Sequence, residues 1–208
     1  MFIQIIQGRC RDADEMHRLS DEWRETMGPT AEGWLGGTYG LTDDNEFVGV
    51  VRFESREAAA RNSARPEQGE WWSRMQACFD GDVMFHDCDN SMMFLDGGSD
   101  DAGFVQVIQG RLEDPDRFRH FMEQPMDMLH EQRPEIIGGT IAIDEDGWFT
   151  ETISFRSEAE ARTGEQQEMP DPQRTEFEQE MARVRDMRYL DLHSPWFSSA
   201  PARGMSMS

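Results

Sequence analysis

The chain repeats itself. Phe2-Ile3-Gln4-Ile5-Ile6-Gln7-Gly8-Arg9 returns 102 positions later as Phe104-Val105-Gln106-Val107-Ile108-Gln109-Gly110-Arg111. At the same spacing Gly36-Gly37-Thr38 returns as Gly138-Gly139-Thr140, and Phe53 and Ser55 return as Phe155 and Ser157. Each of these last pairs opens an Ala- and Glu-rich stretch. Further on the spacing becomes 104, matching Asp82, Phe85 and Asp87 with Asp186, Tyr189 and Asp191, as a two-residue insertion produces. Matches in one order along the whole chain mean a duplicated unit, and a fold that a piece of about 100 residues forms twice.

Each copy reads strand, helix, strand, strand, helix, strand. Residues 2–8 form an apolar strand, and Asp12 or Asp14 then caps a helix with Met16, Leu19, Trp23 and Met27 at helical spacing. Gly28-Pro29 ends that helix. Residues 34–41 and 46–54 make a hairpin turned by Thr42-Asp43-Asp44-Asn45. Ser55 caps a second helix that breaks at Pro66 and resumes around Glu70, with Trp72, Met75 and Phe79 on its apolar face. Residues 83–88 are the last strand, and 91–95 suit a short extra one. The second copy turns its hairpin at Asp144-Glu145-Asp146-Gly147 and carries Pro125, a kink, in its first helix. The expected organisation is a first repeat at 1–96, a linker at 97–103, a second repeat at 104–197 and a disordered tail at 198–208.

This βαββαβ order is the ferredoxin-like motif, an α+β fold with helices on one sheet face. The other face still carries Ile, Val and Phe and needs a cover. The equivalent face of the second copy supplies it, so the two sheets are expected to close into one barrel within the chain.

Charge narrows the partners. Forty-two acidic residues against 20 basic ones, all Arg, leave a formal charge of −22. Such a surface repels phosphate backbones and anionic lipid, which disfavours nucleic acid and membrane as partners. No apolar run approaches the ~20 residues of a bilayer crossing, and no basic leader precedes Phe2, so a cytoplasmic protein is expected. Cys10, Cys78 and Cys88 show neither disulfide nor zinc spacing and read as reduced structural thiols.

Four positions and one pair draw interest, each with a plainer structural role beside it. Gln4 and Gln7 point to opposite strand faces, and a buried amide needs partners that a ligand or loop backbone supplies. Arg52 shares its face with Val48 and Val50; such a guanidinium calls for an internal carboxylate or a substrate acid group. His86 alternates with Met84 and Cys88, where it acts as a general base toward a phenol or is merely hydrogen-bonded. A metal at His86 and Cys88 lacks a third ligand. Trp71 and Trp72 point about 100° apart on a helix, so one fills the core while the other walls a pocket. His17, His120 and His130 read as surface residues, and His193 has no assigned role.

The run Phe53-Glu54-Ser55-Arg56-Glu57-Ala58-Ala59, with Arg65-Pro66-Glu67-Gln68 and Trp71-Trp72, resembles the second helix of antibiotic biosynthesis monooxygenase-like domains, members of the dimeric α+β barrel superfamily. The resemblance covers the first copy and, more loosely, the second, where Gln166-Gln167-Glu168-Met169-Pro170 takes the place of the Pro-Glu-Gln segment. It implies a tandem, intramolecular form of that barrel. The superfamily holds cofactor-independent quinone-forming monooxygenases, haem-degrading enzymes and isomerases. Members that oxygenate without a cofactor use an Asn on the first strand, a Trp on the second helix and a nearby His or Tyr. Here the corresponding residues are Gln4 or Gln7, Trp71 or Trp72, and His86; the second copy offers only Gln173, Arg174 and Leu190.

The resulting expectation is a small aromatic or polyketide-like ligand held between helices and sheet of the first copy, with no cofactor and no metal. His86 would be catalytic, and Gln4, Gln7, Arg52, Trp71 and Trp72 would bind the ligand. A cofactor-independent monooxygenase is the leading activity. A non-catalytic ligand-binding or stress-associated module and a haem-binding or haem-degrading protein are the alternatives. One chain suffices for the barrel, so the assembly is expected to be a monomer or a homodimer.

Overall fold

The duplicated apolar strands build two antiparallel sheets of five strands each. The computed structural model describes residues 1–97, 100–123, 133–167 and 171–199. The first half runs β1 (Phe2–Arg9), α1 (Ala13–Thr26), β2 (Trp34–Leu41), β3 (Glu46–Phe53), α2 (Arg56–Ser63), α3 (Pro66–Gln76), β4 (Met84–Cys88) and β5 (Asn90–Phe94). The second runs β6 (Phe104–Leu112), α4 (Pro115–Glu123), β7 (Ile136–Ile143), β8 (Trp148–Phe155), α5 (Glu158–Glu165), α6 (Asp171–Met181), β9 (Val184–Leu192) and β10 (Trp196–Ser199). The sheets are ordered β10-β2-β3-β1-β4 and β5-β7-β8-β6-β9. Four strands of each follow the ferredoxin-like order, so the fold is α+β with two such units in tandem. No described helix is long and apolar enough to cross a membrane.

Local chemistry sets the element ends. The Asp12 carboxylate accepts from the Glu15 amide at 3.1 Å, which makes Asp12 rather than Asp14 the cap of α1. Ser55 and Ser157 cap α2 and α5 in the same way, each accepting at 3.2 Å from the third residue on. Pro66 stands at the first turn of α3, so the second helical segment resumes there and not at Glu70. The kink expected at Pro125 lies outside the described residues, as does His130.

The fifth strand of each sheet comes from the opposite half. β5 pairs with β7, Phe94 opposite Gly139, and β10 pairs with β2, Ser198 opposite Gly37. Ser198 and Ser199, assigned to the tail from sequence, instead belong to β10, where Ser198 is buried; the rest of the expected tail lies outside the described residues. The two glycines make room for different occupants. A side chain on Gly139 would meet the Phe94 ring at 2.3 Å, and one on Gly37 would meet the Tyr39 hydroxyl at 2.1 Å.

The faces away from the helices mate. Ile3 and Ile5 of β1 and Val48 and Val50 of β3 pack with Val105, Val107, Ala142, Leu190 and Leu192 of the other sheet, all nearly or fully buried. Each such side chain contributes about 1.5–3 kcal/mol on leaving water. This is the cover that the alternating apolar strands require.

A polar pair joins the two sheets inside the barrel. Gln7 Nε2 donates to Gln109 Oε1 at 3.1 Å, and Gln109 Nε2 donates back to Gln7 Oε1 at 2.8 Å. These residues are repeat equivalents, so each bonds its own counterpart, as residues on a twofold contact do. Gln109 also donates to Thr150 Oγ1 at 2.9 Å, and Gln7 to Glu46 Oε1 at 3.3 Å, while Arg188 donates to Glu46 at 2.5 Å. Replacing either glutamine by leucine strands the other amide and is expected to cost about 1–3 kcal/mol in urea unfolding. The double leucine variant is expected to cost less than the sum of the two, since both orphaned partners disappear together.

Candidate functional site

The helix-facing side of the first sheet is not fully filled. A cavity of about 290 Å³ lies between it and α1, α2 and α3. Gln4 and Ile6 of β1 and Val51 and Phe53 of β3 form its floor, extended by Tyr39 and Phe47. Ser20 and Trp23 of α1, Asn62 of α2, and Gln68, Trp71 and Trp72 of α3 form its roof. Phe85, exposed on the edge strand β4, stands at its margin.

The aromatic rings form a continuous wall. Trp23, Trp71, Trp72 and Phe85 succeed one another with centroids 6.4, 6.1 and 5.4 Å apart. Their orientation is held by the indole N–H groups. Trp71 Nε1 donates to the Leu19 carbonyl at 2.8 Å, and Trp23 Nε1 to Gln68 Oε1 at 2.6 Å. Hydrogen-bonded indoles present rigid apolar faces at little entropic cost.

The polar groups of the cavity are neutral. Gln4 Nε2 donates to Asp87 Oδ1 at 2.8 Å, which points its carbonyl oxygen elsewhere, and Asn62 Oδ1 accepts from Arg65 at 3.2 Å. Among the described residues no Asp, Glu, Arg, His or Cys lines the cavity. Its single titratable group is Tyr39, whose phenol burial pushes up to about 12, so it stays protonated at neutral pH.

The residues expected to act together are thus divided between two faces. Gln4, Trp71 and Trp72 line the cavity; Gln7, Arg52 and His86 do not. Strand alternation is the cause, because Gln7, Arg52 and His86 share the face turned to the second sheet. Gln7 is spent on Gln109. Arg52 donates to Thr38 Oγ1 at 3.2 Å, and burial lowers its pKa, with Asp100 as a more distant counter-charge. His86 Nδ1 lies 2.7 Å from Asp144 Oδ2, under the Trp148 ring at 5.9 Å, so it bridges the halves instead of facing a cavity. Cys88, beside it, is driven to a pKa of about 12 by burial and is inert as a nucleophile.

Sequence reasoning missed Trp23, Tyr39, Asn62 and Gln68. Trp23 read as ordinary helix core, and it is that as well. The available signal was its place seven residues after Met16 on the buried face of α1, which alone does not distinguish core from wall. His193 has acquired partners: Glu158 at 3.2 Å and Asp43 at 3.6 Å.

The sequence matches no protein-family model and no curated protein. Solved structures match it in shape. A proposed monooxygenase from Lactobacillus acidophilus superposes with a TM-score of 0.73 at 14% identity, covering 96% of this chain and 97% of that one. An anthrone oxidase-like protein gives 0.67 at 10% identity, with 96% and 93% covered. A haem-degrading enzyme from Listeria monocytogenes gives 0.51 at 10% identity, with 93% and 99% covered. The fold is that of antibiotic biosynthesis monooxygenase-like dimeric α+β barrels, here within one chain.

If His86 is structural, His86→Ala leaves Asp144 partly buried without its imidazole. The expected cost is about 1–3 kcal/mol in urea unfolding, with quenching of tryptophan fluorescence by an aromatic ligand unchanged.

Proposed function

We propose that this chain, built on the fold of antibiotic biosynthesis monooxygenase-like barrels, binds a flat, uncharged aromatic molecule in the first-repeat cavity and oxygenates it without a cofactor. The observation that carries this reading is a cavity walled by indoles and phenyl rings and free of ionised side chains, in a chain that is 30% charged. Transferring an unpaired charge into such a site is costly, whereas a neutral polycycle gains area and ring contacts.

The chemistry suits a substrate that supplies its own reactivity. A hydroxylated anthrone reacts through its neutral enol: dioxygen adds at the former methylene carbon, the enol proton passes to the new hydroperoxide, and loss of water from that hydroperoxide leaves the second quinone carbonyl. The protein then contributes a dry cavity and orientation by the Gln4, Asn62 and Gln68 amides. The anthrone oxidase-like neighbour agrees with this substrate class. The haem reading has less support: among the described residues no His or Cys lines the cavity to ligate iron, and Tyr39 keeps its proton.

1,8-Dihydroxyanthrone is the probe. It is expected to quench tryptophan fluorescence, to bind roughly threefold to tenfold more weakly to Trp72→Ala through loss of a ring contact, and in air to yield the anthraquinone faster than in buffer. Binding without faster quinone formation would leave a ligand-binding module in place of an oxygenase; the absence of binding would overturn the proposal.

A further inference from the structure

Three carboxamides line the first-repeat cavity: Gln4 of β1, Asn62 of α2 and Gln68 of α3. A carboxamide donates at one end and accepts at the other, and its partners decide which end faces where. Each of the three has one side-chain partner among the described residues, and each partner works in one direction. Gln4 Nε2 donates to Asp87 Oδ1 at 2.8 Å, on an acid that Arg56 approaches to 3.4 Å. Asn62 Oδ1 accepts from the Arg65 guanidinium at 3.2 Å, and Gln68 Oε1 accepts from the Trp23 indole at 2.6 Å. A guanidinium and an indole N–H only donate, and an ion-paired carboxylate only accepts. None of the three amides is therefore able to turn over without losing its bond.

The ends left over follow by elimination. Gln4 keeps an acceptor oxygen, while Asn62 and Gln68 keep N–H donors. Asn62 is only 6% exposed, and its Nδ2 meets no acceptor among the described residues. A buried donor in that state is costly, and a ligand oxygen in the cavity relieves it. Ser20, also on the lining, gives its proton to the Met16 carbonyl at 2.9 Å and has only acceptor capacity left.

The fold itself does not require this set. In the second repeat Gly164 stands where Asn62 does. Gln106, the counterpart of Gln4, gives its Nε2 to both Glu165 at 3.1 Å and Asp191 at 3.3 Å. The donor at Asn62 belongs to the repeat in which the cavity lies.

We propose that Gln4 and Asn62 determine the specificity of this cavity. Gln4 reads a ligand hydroxyl as an acceptor, and Asn62, with Gln68, reads a ligand carbonyl as a donor. Asp87 takes no part in contact with the ligand; it is a positioning residue that locks Gln4 in the accepting sense from the sheet edge. The assignment rests on the reading of the cavity as a site for flat aromatic molecules, and not on whether such a molecule is oxygenated there.

The test uses three tricyclic probes of one shape, read by tryptophan quenching: anthracene, 9,10-anthraquinone, which only accepts, and 2-hydroxyanthracene, which donates. Asn62→Ala is expected to weaken 9,10-anthraquinone roughly fivefold to tenfold and to leave the other two within about twofold. In Asp87→Asn the new amide both donates and accepts, so Gln4 turns over. That variant is expected to weaken 2-hydroxyanthracene about threefold without weakening 9,10-anthraquinone, and Asp87→Glu to restore the wild-type pattern. General damage to the fold weakens all three probes together, so the crossed pattern separates recognition from stability. Equal losses for the three probes, or no loss in either variant, would overturn the assignment and leave an aromatic site in place. Failure of all three to bind the wild type overturns the assignment and the aromatic site alike.

Discussion

The structure depends on two sheets that hide the same apolar surface from water in each other. Ile3, Ile5, Val48 and Val50 have no helix to cover them; Val105, Val107, Leu190 and Leu192 have the same need, and meeting satisfies both. A pure apolar contact is permissive about register. The Gln7–Gln109 pair is not, because two buried amides reach their partners in one alignment only. The exchange of β5 and β10 between the sheets adds backbone hydrogen bonds to that alignment. An isologous dimer interface thus becomes an internal one.

Mating the sheets decides where open volume is left. The barrel interior is closed by side chains, with Thr140–Thr152 and Arg52–Thr38 bonding across neighbouring strands. Among the described residues, open volume lies on the helix side, where a layer of short helices rests on the sheet. The first repeat fills part of that gap with indoles.

Asp87 and Asp191 show how much of the helix side stayed common. Gln4 donates to the first and Gln106 to the second, and an arginine bonds each acid while lying over the first ring of its own repeat: Arg56 over Phe2 at 5.0 Å, Arg162 over Phe104 at 5.3 Å. The two arginines are not repeat equivalents, since Arg162 stands one helical turn further along than the counterpart of Arg56. The interaction outlasted the residue position, as expected when a flexible guanidinium reaches the same carboxylate from successive turns.

The order of elements, the repeat and the need for a covered sheet face were legible in the chain, because strand and helix periodicity and capping are local. Gln4 with Trp71 and Trp72 was legible for the same reason: all belong to the helix side of the first copy. The grouping of Gln7, Arg52 and His86 with them was not. Alternation separates the faces of a strand, but only the packed sheets reveal which face opens on a cavity and which meets Gln109 or Asp144. The destination of β5 and β10 escaped for a further reason. A short strand carries no mark of which edge it will join, and here Gly36 and Gly139, distant in sequence from their partners, leave room for the Ser198 backbone of β10 and the Phe94 ring of β5.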